Sequence, residues 1–196
     1  MKAVARKLLG YLGATALLLV GWQLLALAVD SAALPGPIEA LGTFAAIFVA
    51  DLVPEMLVSA WRVVVSMALG TALAVPLGLV IGRSPRLDTV AAPLVFLTYP
   101  VPKIVFLPVL LVLFGIGSLP KIALITLIVF FQILVTARDA ARAIPSGSVL
   151  SVRSLGADRA QVFRHVVVPA ALPDVFTALR ISTGTAIAVL FFSESI

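Results

Sequence analysis

Few side chains in this sequence are chemically able to do more than pack, and their spacing excludes most reactions. His165 is the single histidine and has no acidic or serine partner at useful spacing, so it reads as a surface residue. Ser146-Gly147-Ser148 has no base inside the apolar runs, and the carboxylates are scattered rather than clustered for a metal. There is no cysteine, hence no thiolate nucleophile and no disulfide, and no glycine-rich loop with a lysine to cradle phosphate. Two features remain. One is Lys103 in Tyr99-Pro100-Val101-Pro102-Lys103, a cation between apolar runs. It could meet an anionic solute near the bilayer midplane, or snorkel to a surface or pair with a carbonyl. The other is Arg138 to Pro173, the one long polar stretch.

The elements that position these residues are dictated by lipid. Of 196 residues 62% are hydrophobic and 12% charged, and the apolar residues come in long runs. The fold expected is all-α and polytopic, with about five transmembrane helices in a single domain, 1–196. Leu8 to Val29 is a first span; it exceeds the apolar region of a signal peptide, the rival reading. Val63 to Gly82 is a second, with a kink at Pro76. Thr89 to Phe114 is a third, broken where Pro100 and Pro102 remove backbone donors, and the break could line a path. Ile122 to Ala137 is a fourth, and a fifth starts near Pro173. Between spans one and two, Leu34-Pro35-Gly36-Pro37 is a turn, and Ile38 to Ala50 suits a helix on the outer interface.

Charge orients the chain. Lys2, Arg6 and Lys7, then Arg83 and Arg86, then Arg138, Arg142, Arg153, Arg159 and Arg164 fall on one side, which the positive-inside bias makes cytoplasmic, with the N-terminus. The opposite loop carries Asp30, Glu39, Asp51 and Glu55. The net charge of +5 punctuates apolar runs instead of forming a solvated basic face, which argues against nucleic acid. Glu194 reads equally as a pathway group, an interface group or a solvated carboxylate.

Within 138–173 the pattern is that of a compact docking knob. Val149, Val152 and Leu155 recur at helical spacing and Gly156 can end that helix in the left-handed conformation. Asp158 with Gln161 reads as a capping box that starts a second short helix, with Val162, Phe163 and Val166 on its apolar face and Pro169 closing it.

Arg153-Ser-Leu-Gly156-Ala-Asp158, Phe163, Val166-Val-Val-Pro169-Ala-Ala-Leu-Pro173 and Leu179-Arg180-Ile181 closely resemble the "EAA" loop of permeases in binding-protein-dependent ABC importers. Leu34-Pro-Gly-Pro37, Pro76-Leu-Gly78, Pro100-Val-Pro-Lys103 with Leu107-Pro108, and Phe114-Gly-Ile-Gly117 are similar to the branch importing nitrate, taurine, alkanesulfonates and some vitamin precursors. The resemblance implies a bacterial inner-membrane transporter subunit, not an enzyme, that binds no cofactor of its own because ATP sits on a partner ATPase. It implies three partners: the cytoplasmic ATPase, an external solute-binding protein and a second permease copy, as in a homodimer. It implies coupling through Arg153, Leu155, Gly156, Ala157, Asp158, Phe163 and Pro169; the candidate path residues remain those of the break, Tyr99, Pro100, Pro102 and Lys103. Two departures stand out. The family's Glu-Ala-Ala falls on Leu150-Ser151-Val152, and the chain ends at Ile196 where the family continues, so a C-terminally shortened permease is expected. A non-transporting scaffold or remnant is the alternative.

Overall fold

The computed structural model describes the backbone from residue 2 to 195 and the side chains from residue 7 to 195. The side chains of Lys2 and Arg6, used above for orientation, and Ile196 lie outside the described residues. Every regular element among the described residues is helical, and the chain divides into two units, Met1–Leu57 and Val58–Ile196.

In the first unit α1 (Lys2–Val29) presents large apolar side chains all round, the surface that lipid solvates. It ends where Asp30 takes a φ of +44°, a left-handed conformation that aspartate tolerates better than most residues. The following turn folds back on it, and the Trp22 indole N–H donates to the Pro35 carbonyl at 3.0 Å. Helix α2 (Pro37–Ile47) is the helix expected over Ile38 to Ala50, but it is not separate. A wide turn, Phe48–Leu52, carries it into α3 (Val53–Arg83). Pro54 lacks an N–H, and the chain passes it by letting the Val53 amide reach back five residues to Phe48 instead of four.

The second unit is built around α6 (Ser118–Ala143), which carries a proline only in its first turn, at Pro120. Along α3, Ser66, Gly70, Ala74, Gly78 and Gly82 recur every four residues and face α6. Small residues let the backbones approach, which is how helices associate where lipid removes the hydrophobic driving force. The Ser66 hydroxyl donates to the carbonyls of Arg62, at 2.7 Å, and Ile122, at 3.2 Å. The two helices run parallel: Ser66 meets Ile122, and Gly78 meets Leu134 and Ala137. Helix α9 (Val168–Glu194) packs on another side of α6 through Ala178, Ala186 and Leu190 against Ile125, Val129 and Ile133.

Parallel α3 and α6 force their connection to cross the membrane. It consists of α4 (Pro85–Thr98), a break, a single 3-10 turn (Lys103–Phe106) and α5 (Leu107–Phe114), bent by 80°. It leaves from the Arg83 end of α3 and delivers the chain to Ser118, whose hydroxyl receives a bond from Arg62 at the opposite end, 3.0 Å away. The bent pair is therefore one broken span, as the prolines predict, and with α1, α3, α6 and α9 makes five. From Arg62 to Arg83 the rise is about 32 Å at about 1.5 Å per residue, and from Ser118 to Arg138 about 30 Å, matching a hydrocarbon core of about 30 Å.

The second short helix of the knob is corrected by the structure. Helix α8 (Arg159–Val162), a wide turn over Phe163–Val167 and α9 form one helical run to Glu194. Pro169 does not close a helix; it sits in the first turn of α9, and the Val168 amide reaches back to Phe163 as Val53 does to Phe48. Helix α3 runs on through Pro76, which is expected to kink it and not to break it.

A Cβ at Gly78 would lie 2.7 Å from the Leu134 carbonyl oxygen and 2.8 Å from the Ala137 Cβ, whereas at Gly184 on α9 nothing lies within 4 Å. Gly78→Val should lower stability by about 1–3 kcal/mol, read as a drop in Tm of the detergent-solubilised chain, while Gly184→Ala leaves Tm close to wild type. Equal melting of the two variants would mean that α3 and α6 are not in close backbone contact.

Candidate functional site

The sequence-assigned residues fall at two places in the second unit, the knob and the break in the third span. In the knob, α7 (Ser146–Ser154) ends in a complete Schellman arrangement. The Gly156 amide donates to the Arg153 carbonyl at 2.9 Å and the Ala157 amide to the Val152 carbonyl at 3.4 Å. This geometry places Gly156 at a φ of +88°, where a side chain is strained. Asp158 then caps α8 in both directions: its carboxylate accepts from the Gln161 amide at 2.8 Å, and its own amide donates to the Gln161 side chain at 2.9 Å.

The knob is mounted on packed helix ends. Val167, Ala171 and Val175 bury against Leu79, Ala137 and Ala141, and Val149, Phe163 and Val166 pack on that cluster. What it exposes is its tip. Leu155 is 86% exposed and Leu150 63%, with Arg153, Gly156 and Asp158 exposed beside them and Ala157 half-buried. Leu155, Gly156, Ala157 and Asp158 thus form one surface. Phe163 faces the core instead, and Pro169 lies apart in α9.

At the break, the 80° bend exposes the last carbonyls of α4, which carry the negative end of the helix dipole. Lys103 covers them. Its ammonium donates to the carbonyls of Thr98 and Tyr99, each at 3.0 Å, and Val101 at 3.3 Å. It also lies 4.6 Å from the centre of the Phe131 ring and 5.7 Å from that of Tyr99. Of the two readings open from sequence, carbonyl pairing describes this conformation, with all three ammonium donors used. Tyr99, Lys103 and Gln132 line a cavity of about 310 Å³ beside the break.

Three residues outside the sequence reading tie the site together. Asp88, in the first turn of α4, pairs with Arg138 at 2.5 Å and with Arg142 at 3.2 Å, joining the broken helix to the end of α6 that carries the knob. At the other end Arg62 pairs with Glu194, which also accepts from the Ser59 hydroxyl at 2.9 Å, joining α3 to α9. Gln132 donates to Thr185 at 3.3 Å across the α6–α9 contact, and its buried amide oxygen has no partner among the described residues. An amide inside the charge-free Ile122 to Ala137 run was the available signal for Gln132. Nothing local marks Arg62 or Asp88, whose partners lie far away in sequence.

A helical core with a capped knob at one end and a pinned, broken span is reflected in the comparison with known proteins. Residues 74–196 match the family described as binding-protein-dependent transport system inner membrane component. The chain belongs to this family. The permease is 33% identical over 147 residues to the taurine transport system permease protein of Escherichia coli, a match covering 75% of this chain and 54% of that protein. It is 31% identical over 177 residues to a probable ABC transporter permease protein of Brucella melitensis, covering 90% of this chain and 72% of the relative. A putative ABC transporter permease protein of Methanocaldococcus jannaschii is 29% identical over 177 residues, covering 87% and 66%. The chain thus spans about half the length of the taurine permease and two thirds of the archaeal one.

The pinned break makes a prediction that needs no substrate. Lys103→Met removes three charge-assisted bonds and leaves the α4 carbonyls bare, a loss of about 2 kcal/mol locally, so amide hydrogen exchange over Tyr99 to Val105 should accelerate by on the order of tenfold or more. Unchanged exchange there would show that the lysine does not hold the break.

Proposed function

We propose that this permease forms the membrane path of an ATP-driven importer and takes its energy from a separate ATPase at the knob. One transmembrane domain supplies the path, and segment 138–173 within it is the docking loop. The observation that carries this reading is the tip at Leu155, Gly156 and Ala157. It is apolar and exposed, yet built on a capped turn and anchored in the cluster of Leu79, Ala137, Val167 and Val175. An exposed leucine on a rigid mount suits insertion into a groove of a partner, and the rigid mount suits transmission of force.

In this mechanism the ATPase binds and hydrolyses ATP, and no bond is made or broken in the permease itself. Closure of the ATPase displaces the tip formed by Arg153, Leu155, Gly156, Ala157 and Asp158. Phe163 and the first turns of α9, including Pro169, carry the displacement into the packed ends of α3 and α6. The Asp88 pairs with Arg138 and Arg142 hand it to α4, and so to the break. Tyr99, Lys103 and Gln132, which line the cavity beside the break, border the path there, with Pro100 and Pro102 forming the break itself. An external binding protein delivers the solute and a second copy of the chain completes the path in the bacterial inner membrane. The solute class is a small organic anion such as taurine or another sulfonate. Permeases named for taurine and for aliphatic sulfonates among the relatives support that class.

The chain has no cysteine, so Ala157→Cys adds one thiol at the tip. With a cysteine in the groove of the cognate ATPase, it should crosslink in a nucleotide-dependent manner. Gly156→Val, which forbids the positive φ, should abolish that crosslink and cut solute-stimulated ATP hydrolysis by on the order of tenfold, if loss of the turn removes about 1.4 kcal/mol or more of coupling. A correctly inserted Ala157→Cys chain whose new thiol is accessible yet forms no crosslink to the ATPase would refute docking at this tip.

A further inference from the structure

Between the knob and the α3–α4 turn lies a second feature, which shares Arg153 and Phe163 with the coupling surface. The end of α3, the first turn of α4 and the knob helices border an open cleft of about 560 Å³. Arg83, Arg86, Arg153 and Arg159 line it, with Val162 and Phe163 among its apolar wall. Arg138 and Arg142 nearby are paired with carboxylates, Arg138 with Asp88 and Asp139 and Arg142 with Asp88. The four cavity arginines differ: among the described residues, none has a carboxylate within ion-pair distance. Arg83, half-buried, makes one long bond of 3.4 Å to the Ala141 carbonyl.

Arg86, Arg153 and Arg159 are exposed at the mouth and Arg83 is half-buried, so four like charges around one space attract an anion. The guanidinium fork matches a tetrahedral oxyanion with several acceptor oxygens, above all phosphate. The level of the cavity narrows the choice. Arg83 stands about 32 Å along α3 from Arg62, one hydrocarbon thickness, which puts it in the cytoplasmic headgroup layer. A cluster of arginines at that depth with an apolar wall fits an anionic headgroup whose glycerol and first methylenes lie against Val162 and Phe163.

We propose that this cavity binds the phosphate of an anionic phospholipid of the cytoplasmic leaflet. The lipid would bridge the α3–α4 turn and the knob, so that occupancy stiffens the mount on which the tip rides. The proposal does not depend on transport and stands or falls on lipid binding alone.

The test uses the full chain, stripped of lipid in neutral detergent and titrated with short-chain phosphatidylglycerol or phosphatidylcholine, with bound lipid counted by native mass spectrometry. Wild type should retain phosphatidylglycerol in preference to phosphatidylcholine. Arg86→Gln with Arg159→Gln should weaken that retention by on the order of tenfold, and Arg164→Gln, a basic residue of the wide turn that does not line the cavity, should leave it unchanged. A photoactivatable phosphatidylglycerol should label wild type on peptides containing Arg86 or Arg153, which needs no variant to fold. Labelling confined to other peptides, or equal retention in the double variant, overturns the proposal. So does displacement of the lipid by low-millimolar inorganic phosphate, which would assign the cavity to a soluble anion. A double variant that keeps phosphatidylglycerol but no longer assembles with the ATPase would assign the arginines to an acidic protein segment instead.

Discussion

The close parallel contact of α3 with α6 sets the terms for the rest of the second unit. With lipid as solvent there is little to gain from burying one apolar helix on another, so the contact must be made by backbone approach, and that requires Ser66, Gly70, Ala74 and Gly78 in a single row. Once α3 and α6 run the same way, the segment between them has to recross the membrane. The third span is broken and pinned because it is the return limb of that arrangement. The same register brings Arg62 to Ser118 and Glu194 at one end, and Arg83 to the Ala141 carbonyl at the other. Helix α6 can serve as a hub because it is interrupted by no proline beyond its first turn.

Much of this is legible in the sequence because apolar runs about 20 residues long have few readings other than a span. The break at Pro100 and Pro102, the capping box at Asp158 and the left-handed Gly156 are legible for the same kind of reason: each is a local backbone rule read from two or three neighbouring residues. The same kind of rule misreads Pro169. It treats a proline as a helix stop, yet at both Pro54 and Pro169 the chain inserts one wide turn just before the ring and continues. Nothing in a linear pattern distinguishes the two outcomes. The choice is made by packing, since Val167 and Ala171, on either side of Pro169, are both buried on the same cluster and a helix that stopped there would lose one of them.

The ion pairs are illegible for a different reason. Asp88 is 50 residues from Arg138, and Arg62 is 132 from Glu194. Their pairing follows from the register of helices, which a single sequence does not reveal. The charges themselves orient the chain, because the positive-inside bias depends on sign and position and not on partners. What the structure adds is which cations are neutralised. At the knob end that distinction separates Arg138 and Arg142, which are held by carboxylates, from the four arginines around the cavity, which among the described residues have none within ion-pair distance.

The pinned break also constrains how such a protein can move. A helix interrupted at Pro100 and Pro102 would ordinarily be the natural hinge, since the missing donors leave the segment free to change its bend. Lys103 opposes this: its three bonds run to Thr98, Tyr99 and Val101, on the α4 side of the bend, while its own backbone opens the turn into α5. Changing the bend would pull a charged ammonium from its only described acceptors, at membrane depth, where an unsatisfied cation is costly. With the bend locked, α4 and α5 move as one body. A displacement applied at Asp88 would then shift both limbs together, and the deformation would be taken up at the ends of that body, where Ser84 joins α3 to α4 and where Gly115 and Gly117, at φ of +76° and +154°, join α5 to α6.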